Sequence, residues 1–193
     1  MPRKVIVVIG IMLCFGVVSC NLFKTRTPQE PTQSSSNRIP PTDPEIVLQN
    51  MIDAFHDKNT ENYLYSFSSV SFTFEATANA QRNFGSTFLT WDKSSERDYF
   101  TSLMSHVQQN SAATLKFDSI NIVPTAADSS QGDTNYNLAV PLAETNVIKN
   151  FKGRAQFIFA RDQTGWWSIR RWLDIGLNTS DSTWSDLKGT FAQ

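Results

Sequence analysis

Residues 151–174 read FKGRAQFIFARDQTGWWSIRRWLD. Ala155, Phe157 and Phe159 occupy every second position, which is the spacing of a strand with one buried face. The residues at 162–165, Asp-Gln-Thr-Gly, are typical of a turn, and a second strand begins at Trp166. This stretch therefore predicts two antiparallel strands at the end of a sheet protein.

The second of these strands changes parity partway along. By simple alternation Trp167 and Ile169 share one face, whereas Trp172 and Asp174 share the other. One extra residue at Arg170-Arg171 would bring all four side chains to the same face, because a β-bulge resets the alternation. With such a bulge, the shared face would be the concave face of a curved sheet.

Upstream of this stretch the pattern also predicts strands. Leu115 with Phe117, and Ile120 with Ile122, alternate with polar residues, and the polar run 126–134 predicts a hairpin connection. One further set of alternating residues shares an apolar face: Tyr136, Leu138, Val140 and Leu142.

The first half of the folded region is mostly helical in pattern. Pro44 suits a first helical position, and Thr42 with Glu45 matches a capping box, which predicts a helix over 44–58. A short helix begins at Thr60, a strand carries Phe72 and Phe74, residues 76–91 look irregular, and a third helix follows Asp92 or Ser94. Helices followed by hairpin-linked strands predict an α+β fold with N-terminal helices packed on a curved antiparallel sheet.

This element order, together with the 151–174 stretch, resembles the NTF2-like (cystatin-like) superfamily over residues 44–176. The resemblance implies a cone whose concave sheet face lines a pocket, and we take 44–193 as the domain. The superfamily includes ketosteroid isomerase, dehydratases and transport factors, so membership does not fix a function.

The residues that would line such a pocket are Tyr136, Phe157, Trp167, Trp172 and Asp174. A plainer interpretation stays open, in which the tryptophans are core and Asp174 caps a turn at the strand end. Near the C-terminus, Trp184 and Leu187 predict a short helix that folds back on the pocket mouth or, more plainly, covers a sheet edge.

No catalytic residue, metal ligand or cofactor is predicted. Asp174 and Tyr136, with Asp118 or Asp53 in reserve, are the types that isomerase chemistry uses, but no spacing singles them out. The two histidines, at positions 56 and 106, lack a partner at metal-binding spacing.

The N-terminus has the pattern of an export signal. Two basic residues at positions 3 and 4 precede an uncharged apolar run, and Val17-Val18-Ser19-Cys20 resembles the lipobox of bacterial lipoproteins. The resemblance implies that residues 1–19 are a signal peptide and that Cys20 carries acyl chains such as palmitate, which anchor the protein in a lipid bilayer. Asn21, rather than Asp, favours the outer membrane if the source is Gram-negative. The domain would then lie in the periplasm or at the cell surface.

Residues 20–43 are predicted to be a disordered tether, because prolines and a serine run leave almost no apolar residues after Phe23. The chain carries 17 basic and 18 acidic residues, a balance that argues against nucleic-acid binding.

Three functional hypotheses follow from these patterns. The first is a non-enzymatic lipoprotein of the bacterial envelope that binds a small apolar ligand or an envelope partner. The second is an enzyme similar to ketosteroid isomerase or a dehydratase. The third is a structural or assembly protein that forms a homodimer or a larger assembly through the outer face of its sheet.

Overall fold

The computed structural model describes residues 38–144 and 147–192. The predicted signal peptide, Cys20 and most of the predicted tether lie outside the described residues. Within the described part, no helix has both the length and the apolar character needed to cross a membrane.

The described chain has five α-helices, one 3-10 turn and five strands. In chain order they are α1 (Pro44–His56), α2 (Thr60–Tyr65), β1 (Thr73–Glu75), α3 (Ala78–Phe84), the 3-10 turn (Gly85–Phe88), α4 (Lys93–His106), β2 (Thr114–Ala126), β3 (Ser129–Leu142), β4 (Val147–Arg161), β5 (Trp167–Ile175) and α5 (Trp184–Phe191). The predicted α+β class, with helices packed on a curved and mainly antiparallel sheet, is confirmed.

The sheet has the strand order β1-β5-β4-β3-β2. Strands β2 to β5 pair antiparallel with their neighbours, and short β1 pairs parallel with β5. The long hairpin strands keep one face on the core, because alternate residues such as Leu138, Val140, Phe157 and Phe159 are fully buried.

The bulge at Arg170-Arg171 is present. Ile158 pairs with Arg171 and Phe159 pairs with Ile169, which leaves Arg170 as the extra residue in β5. As a result Trp167, Ile169, Trp172 and Asp174 are all buried, at 9%, 0%, 0% and 2% exposure.

Two predictions for the connections are wrong. Residues 76–91 contain α3 and the 3-10 turn rather than irregular chain, since Thr77 caps α3 by accepting from the Ala80 amide at 3.2 Å. The polar run 126–134 belongs mostly to strands, and only residues 127 and 128 separate β2 from β3. Small polar residues fit the inner face here: Ser130 and Thr134 are buried at 4% and 1% exposure.

The contacts of the folded body begin before the predicted start at residue 44. The Ile39 amide donates to Oδ1 of Asn50 at 2.9 Å, and Asn50 Nδ2 donates back to the Ile39 carbonyl at 2.7 Å. The Trp167 amide donates to the Pro41 carbonyl at 2.8 Å. Residues 39–41, the end of the predicted tether, therefore contact the domain.

An aromatic core fills the space between the helices and the concave sheet face. Phe55 of α1 packs edge-on against Phe100 of α4, with ring centroids 4.9 Å apart, and Tyr63 stacks on Phe100 at 4.0 Å. Such pairs add about 0.5–1.5 kcal/mol each beyond the area they bury. These pairs hold the helices together, and Phe67, which follows α2, stacks on Trp172 of β5 with ring centroids 6.4 Å apart.

Candidate functional site

The last helix, α5, inserts a tryptophan into the interior of the cone. Trp184 is 0% exposed, its ring lies 4.5 Å from that of Trp172 and perpendicular to it, and it packs edge-on against Phe55 at 5.4 Å. The tail therefore lies inside the cone rather than along a sheet edge. Trp184 therefore fills the space on the concave face that was predicted to be a ligand pocket.

Polar contacts fix this tryptophan from two sides. Its indole Nε1 donates to the Tyr99 hydroxyl at 3.0 Å, and its backbone amide donates to the Tyr136 hydroxyl at 2.8 Å. Both tyrosines are buried, so the hydrogen bonds satisfy groups that would otherwise be costly to bury.

Asp174 and Tyr136 form a buried pair at the N-terminus of α5. The Tyr136 hydroxyl donates to Oδ1 of Asp174 at 2.7 Å, while the amide and hydroxyl of Ser185 donate to Oδ2 at 2.7 and 2.5 Å. Asp174 therefore holds the first turn of a helix, where a negative charge is favourable. Its carboxylate accepts donors at both oxygens.

Burial controls the ionisation of this pair. Desolvation raises the pKa of Asp174, and the hydrogen bonds from Ser185 and Tyr136 oppose that rise. Burial, followed by the nearby Asp174 charge, also raises the pKa of Tyr136. A carboxyl group with a raised pKa beside a tyrosine is the kind of pair that isomerase-type sites use.

Gly153 makes room for the pair. A Cβ at this position would lie 2.5 Å from the Tyr136 hydroxyl oxygen and 2.8 Å from the Ile175 carbonyl oxygen. Tyr136 of β3 can lie across β4 and reach Asp174 of β5 only because residue 153 has no side chain.

A second buried cluster surrounds Lys188, one helical turn after Trp184. The Lys188 ammonium is 0% exposed, forms an ion pair with the Glu96 carboxylate and lies 3.8 Å from the ring centroid of Phe74 and 3.9 Å from that of Trp172. The rings of Trp91 and Tyr99 lie slightly farther away, at 5.2 and 5.6 Å. We call Phe74, Trp91, Glu96, Tyr99 and Trp172 the ammonium cage.

Glu96 is the polar centre of the ammonium cage. Besides the lysine, it accepts a hydrogen bond from the Tyr63 hydroxyl at 2.7 Å and one from Trp91 Nε1 at 2.7 Å. Burial lowers the pKa of Lys188 to about 8, although the Glu96 charge raises it. The cage is therefore a desolvated cation site whose cation is supplied by the chain itself.

The predicted pocket-lining residues divide into two groups. Tyr136 and Trp172 contact Trp184 directly, Asp174 caps its helix, and Phe157 packs on Trp172 with centroids 5.4 Å apart. Trp167 instead lies beside a shallow surface groove with Asp43 and Pro44 at the start of α1. The structure thus brings four of the five residues to the interior of the cone.

The reserve candidates do not join this site. Asp118 is exposed, and Asp53 accepts from Gln49 on the outer surface of α1 at 2.8 Å. His56 contacts its neighbour Asp57, and His106 contacts the Ser102 carbonyl of its own helix. Among residues 38–144 and 147–192, no cluster of three or more His, Cys, Asp or Glu is arranged to hold a metal ion.

An open groove lies beside the loop that leads into α5. It has a volume of about 680 Å³ and is lined by residues of α3, the end of β5 and the loop before α5, including Arg82, Asp174 and Thr183. Asp174 lines this groove although only 2% of the residue is exposed.

The ammonium cage was not predicted from the sequence, although the position of Glu96 in α4 indicates a buried charge. Glu96 lies in the apolar stripe of α4 with Tyr99, Phe100 and Leu103, at the spacing of one buried helix face. A carboxylate there needs a buried partner, because an unpaired charge in a core is very costly. Lys188 shares a helix face with Trp184 and is the cation that meets this need.

Comparisons with known proteins identify the fold. No family model matches the chain, and a search of curated proteins finds no match. Solved structures do match. A protein proposed to be an aromatic ring hydroxylase, from Novosphingobium aromaticivorans, has a TM-score of 0.58 at 13% identity and covers 74% of this chain and 92% of its own.

Two further solved structures are similar to the chain. An NTF2-like superfamily protein from Salmonella enterica serovar Typhimurium has a TM-score of 0.53 at 12% identity, covering 69% of this chain and 88% of its own. A ketosteroid isomerase-like protein from Erwinia carotovora atroseptica has a TM-score of 0.51 at 12% identity, covering 69% and 93%. At these identities the likeness shows the fold alone: the described body is an NTF2-like cone.

Proposed function

We propose that this protein is a lipid-anchored binding protein of the bacterial envelope, whose ligand site is the interior of the cone and whose C-terminal helix α5 closes that site when it is empty. Acyl chains on Cys20 would hold it in the membrane, and residues 20–38 would space the domain from the bilayer. The observation that carries the binding role is the position of Trp184, which fills the interior between Trp172 and Phe55.

The connections of α5 support a closing role. The loop at 176–180 is exposed, and the walls of the interior come from other elements, α1, α4 and strands β3 to β5. Within the described residues, the loop over 176–183 is joined to the sheet by one backbone hydrogen bond, from the Lys152 amide to the Ser182 carbonyl, and by the ion pair of Lys152 with Asp181. Release of α5 would therefore leave the sheet intact.

Ligand binding must supply the free energy that is needed to release α5 from the cone. A tryptophan buries about 150–250 Å², and at about 25 cal/mol per Å² its exposure costs roughly 4–6 kcal/mol. A ligand that enters must replace this burial, so tight binding needs a large apolar surface that matches the vacated volume.

The hydrogen bonds of Asp174 favour binding over catalysis. A general base needs a lone pair directed at the substrate, whereas both oxygens of Asp174 accept donors from Tyr136 and Ser185. In the closed form this carboxylate stabilises α5.

A reversible latch on α5 tests the binding role. A Cβ at position 189 would lie within 2.8 Å of Cγ of Phe84, and Cγ is one C–C bond of about 1.5 Å from Cβ. The two Cβ atoms of a Phe84→Cys, Gly189→Cys pair are therefore at most about 4.3 Å apart, which does not exceed the Cβ–Cβ separation of disulfides, about 3.5–4.5 Å.

The latch is made in a chain with Cys14 and Cys20 replaced by Ser, so that one disulfide can form. We expect the neutral apolar dye Nile red to bind the reduced protein and to be excluded from the oxidised protein. The same chain in two redox states is its own control. Equal binding of Nile red in the two states would refute the interior as a ligand site.

The anchoring part has a separate test. Mass spectrometry of protein from a bacterial host that processes lipoproteins is expected to find a chain that begins at an acylated Cys20. A Cys20→Ala variant is expected to leave the membrane fraction. An intact, unmodified N-terminus in the wild-type protein would contradict the anchor.

A second candidate function is an enzyme of the isomerase or dehydratase kind, favoured by the buried Tyr136–Asp174 pair and the raised pKa of Asp174. Such an enzyme would exchange the hydrogens next to the carbonyl of a cyclic ketone for deuterium from D₂O. This role predicts exchange in the reduced latch variant, no exchange after oxidation, and loss of exchange in Asp174→Asn. Absence of exchange in the reduced form would leave the binding role alone.

A further inference from the structure

The interior of the cone contains a recognition site for a positive charge. The ammonium cage combines one carboxylate with aromatic faces on several sides: Phe74 and Trp172 lie within 3.9 Å of the Lys188 ammonium, and Trp91 and Tyr99 lie within 5.6 Å. Aromatic faces attract cations, and the attraction is strongest when water is excluded.

The cage exists before any cation from outside arrives. Its walls come from β1, β5, α4 and the segment before α4, whereas the lysine comes from α5. Glu96 is held by Tyr63 and Trp91 independently of α5. Release of the helix would therefore leave a shaped cavity with a buried carboxylate and no cation.

A neutral ligand would leave that carboxylate uncompensated. Burying a carboxylate without a cation beside it is costly, so an occupant that places a positive charge where Lys188 now lies should bind more tightly than a neutral one. Purely apolar molecules would fill the volume but would not satisfy Glu96.

A second subsite lies one helical turn away. Trp184 and Lys188 are four residues apart on α5, which places them on one face with a spacing of about 6 Å along the helix axis. The indole lies against Trp172 and Phe55 and donates to Tyr99. The indole subsite therefore accepts a flat aromatic group with a hydrogen-bond donor.

The wall also contains a donor that α5 leaves unused. Within the described residues, the buried Trp172 Nε1 has no hydrogen-bond partner. Native structures rarely leave such a group unpaired without a reason. A ligand with a hydrogen-bond acceptor near Trp172 Nε1 would satisfy this donor. Helix α5 does not supply such an acceptor.

From these contacts we infer that the ligand of the cone interior is an organic cation that joins a flat aromatic group to an ammonium group, and that Trp184 and Lys188 of α5 imitate it in the closed form. This inference rests on the proposed binding function. It changes the expected ligand from a purely apolar molecule to an aryl-alkyl ammonium.

The test compares two probes that differ only in charge. Tryptamine carries an indole and an ammonium, and tryptophol carries the same indole with a hydroxyl group in place of the ammonium. Binding to the reduced and oxidised latch variant is measured by calorimetry, and the release of α5 by hydrogen exchange at the Ser185 and Leu187 amides.

We expect tryptamine to bind the reduced protein about 30-fold more tightly than tryptophol, the factor of a desolvated cation–π contact, and to speed exchange at both amides. Equal affinities would overturn the charge inference and leave the binding role standing. Binding of neither probe, in a protein that also excludes Nile red, would overturn both. Equal tryptamine binding to the oxidised protein would place the probe elsewhere and also overturn the inference.

A second measurement isolates the cage without releasing α5. The Lys188→Ala variant removes the ammonium and leaves Trp184 in place. We expect n-propylammonium to raise the melting temperature of this variant and not that of the wild type, while n-propanol raises neither. An equal effect of the amine and the alcohol on the variant would refute cation recognition by the cage.

Discussion

Replacement of Gly189 by alanine should lower the free energy of unfolding if α5 is docked on the domain and raise it if α5 is free. In an unpacked helix the change adds about 1 kcal/mol of helix stability. In the docked helix the new Cβ would lie 2.8 Å or less from three ring carbons of Phe84, whereas carbon atoms pack at about 3.5–4.0 Å. The Phe84 ring or the helix would therefore have to move by up to about 1 Å.

Overpacking of this kind costs about 1–3 kcal/mol. The carbons involved include Cγ, the ring atom nearest the backbone, so rotation of the ring does not relieve the contact. We expect a cost in the upper half of that range and, after the gain in helix propensity, a net loss of about 1–2 kcal/mol. For a chain of this size the melting temperature should fall by about 3–6 °C.

The assay is thermal and urea unfolding of four proteins: wild type, Gly189→Ala, Phe84→Ala and the double variant. Once the ring is gone, the alanine at position 189 should stabilise by up to about 1 kcal/mol, because only its helix propensity remains. The coupling between the two positions is then about 2–3 kcal/mol. A higher melting temperature for Gly189→Ala in the wild-type background would refute the docking of α5 against α3.

Three further predictions concern the buried polar groups. The Lys188→Met variant should lose about 3–5 kcal/mol because the buried Glu96 carboxyl group loses its cation partner. Adding Glu96→Gln should recover a large part of this loss in urea unfolding, and a double variant no more stable than the single one would argue against the pair. The pKa of Lys188 is lowered to about 8 in the folded protein, so the unfolded state binds more protons just above that pH. Wild-type stability should therefore rise by about 1 kcal/mol between pH 8 and 9. A flat profile in the wild type, or the same rise in Lys188→Met, would count against the buried ammonium. The Gly153→Ala variant should lose about 2–3 kcal/mol of stability by displacing Tyr136. The control is Gly176→Ala, whose Cβ would meet its nearest atoms at 3.5 Å and which should change stability by less than about 1 kcal/mol. Similar losses in the two variants would refute the close packing over Gly153.

The sequence predicted those parts of the fold that depend on local periodicity. The alternation around Phe157 and Phe159 and the parity change at Arg170 were sufficient for the β4–β5 hairpin and its bulge, because strand faces follow a two-residue period. The strands at 126–134 were missed because Ser130 and Thr134 are polar, yet their small side chains fit a crowded inner face. Helix α3 was missed because four of the seven residues in ANAQRNF are polar and only Ala80 is fully buried.

The interior site was predicted only in part. The sequence named Tyr136, Phe157, Trp172 and Asp174, since alternation places them on the concave face. It could not show that residues 184 and 188 enter the same space, because contacts between α5 and the distant Glu96 or Tyr99 depend on how the chain returns across the sheet. A lysine on a short amphipathic helix usually lies in solvent, and only the position of Glu96 in a buried helix face indicated otherwise.

The most direct test of the account is hydrogen exchange at the indole N–H of Trp184, measured by NMR and assigned with a Trp184→Phe variant. Trp184 is fully buried and donates to Tyr99, whereas Trp166 is 41% exposed and serves as the internal reference. We predict that the Trp184 indole exchanges at least about 100-fold more slowly than that of Trp166, as expected if opening of α5 costs several kcal/mol. Exchange of Trp184 as fast as that of Trp166 would mean that α5 does not occupy the cone, and the closed form described here would be wrong.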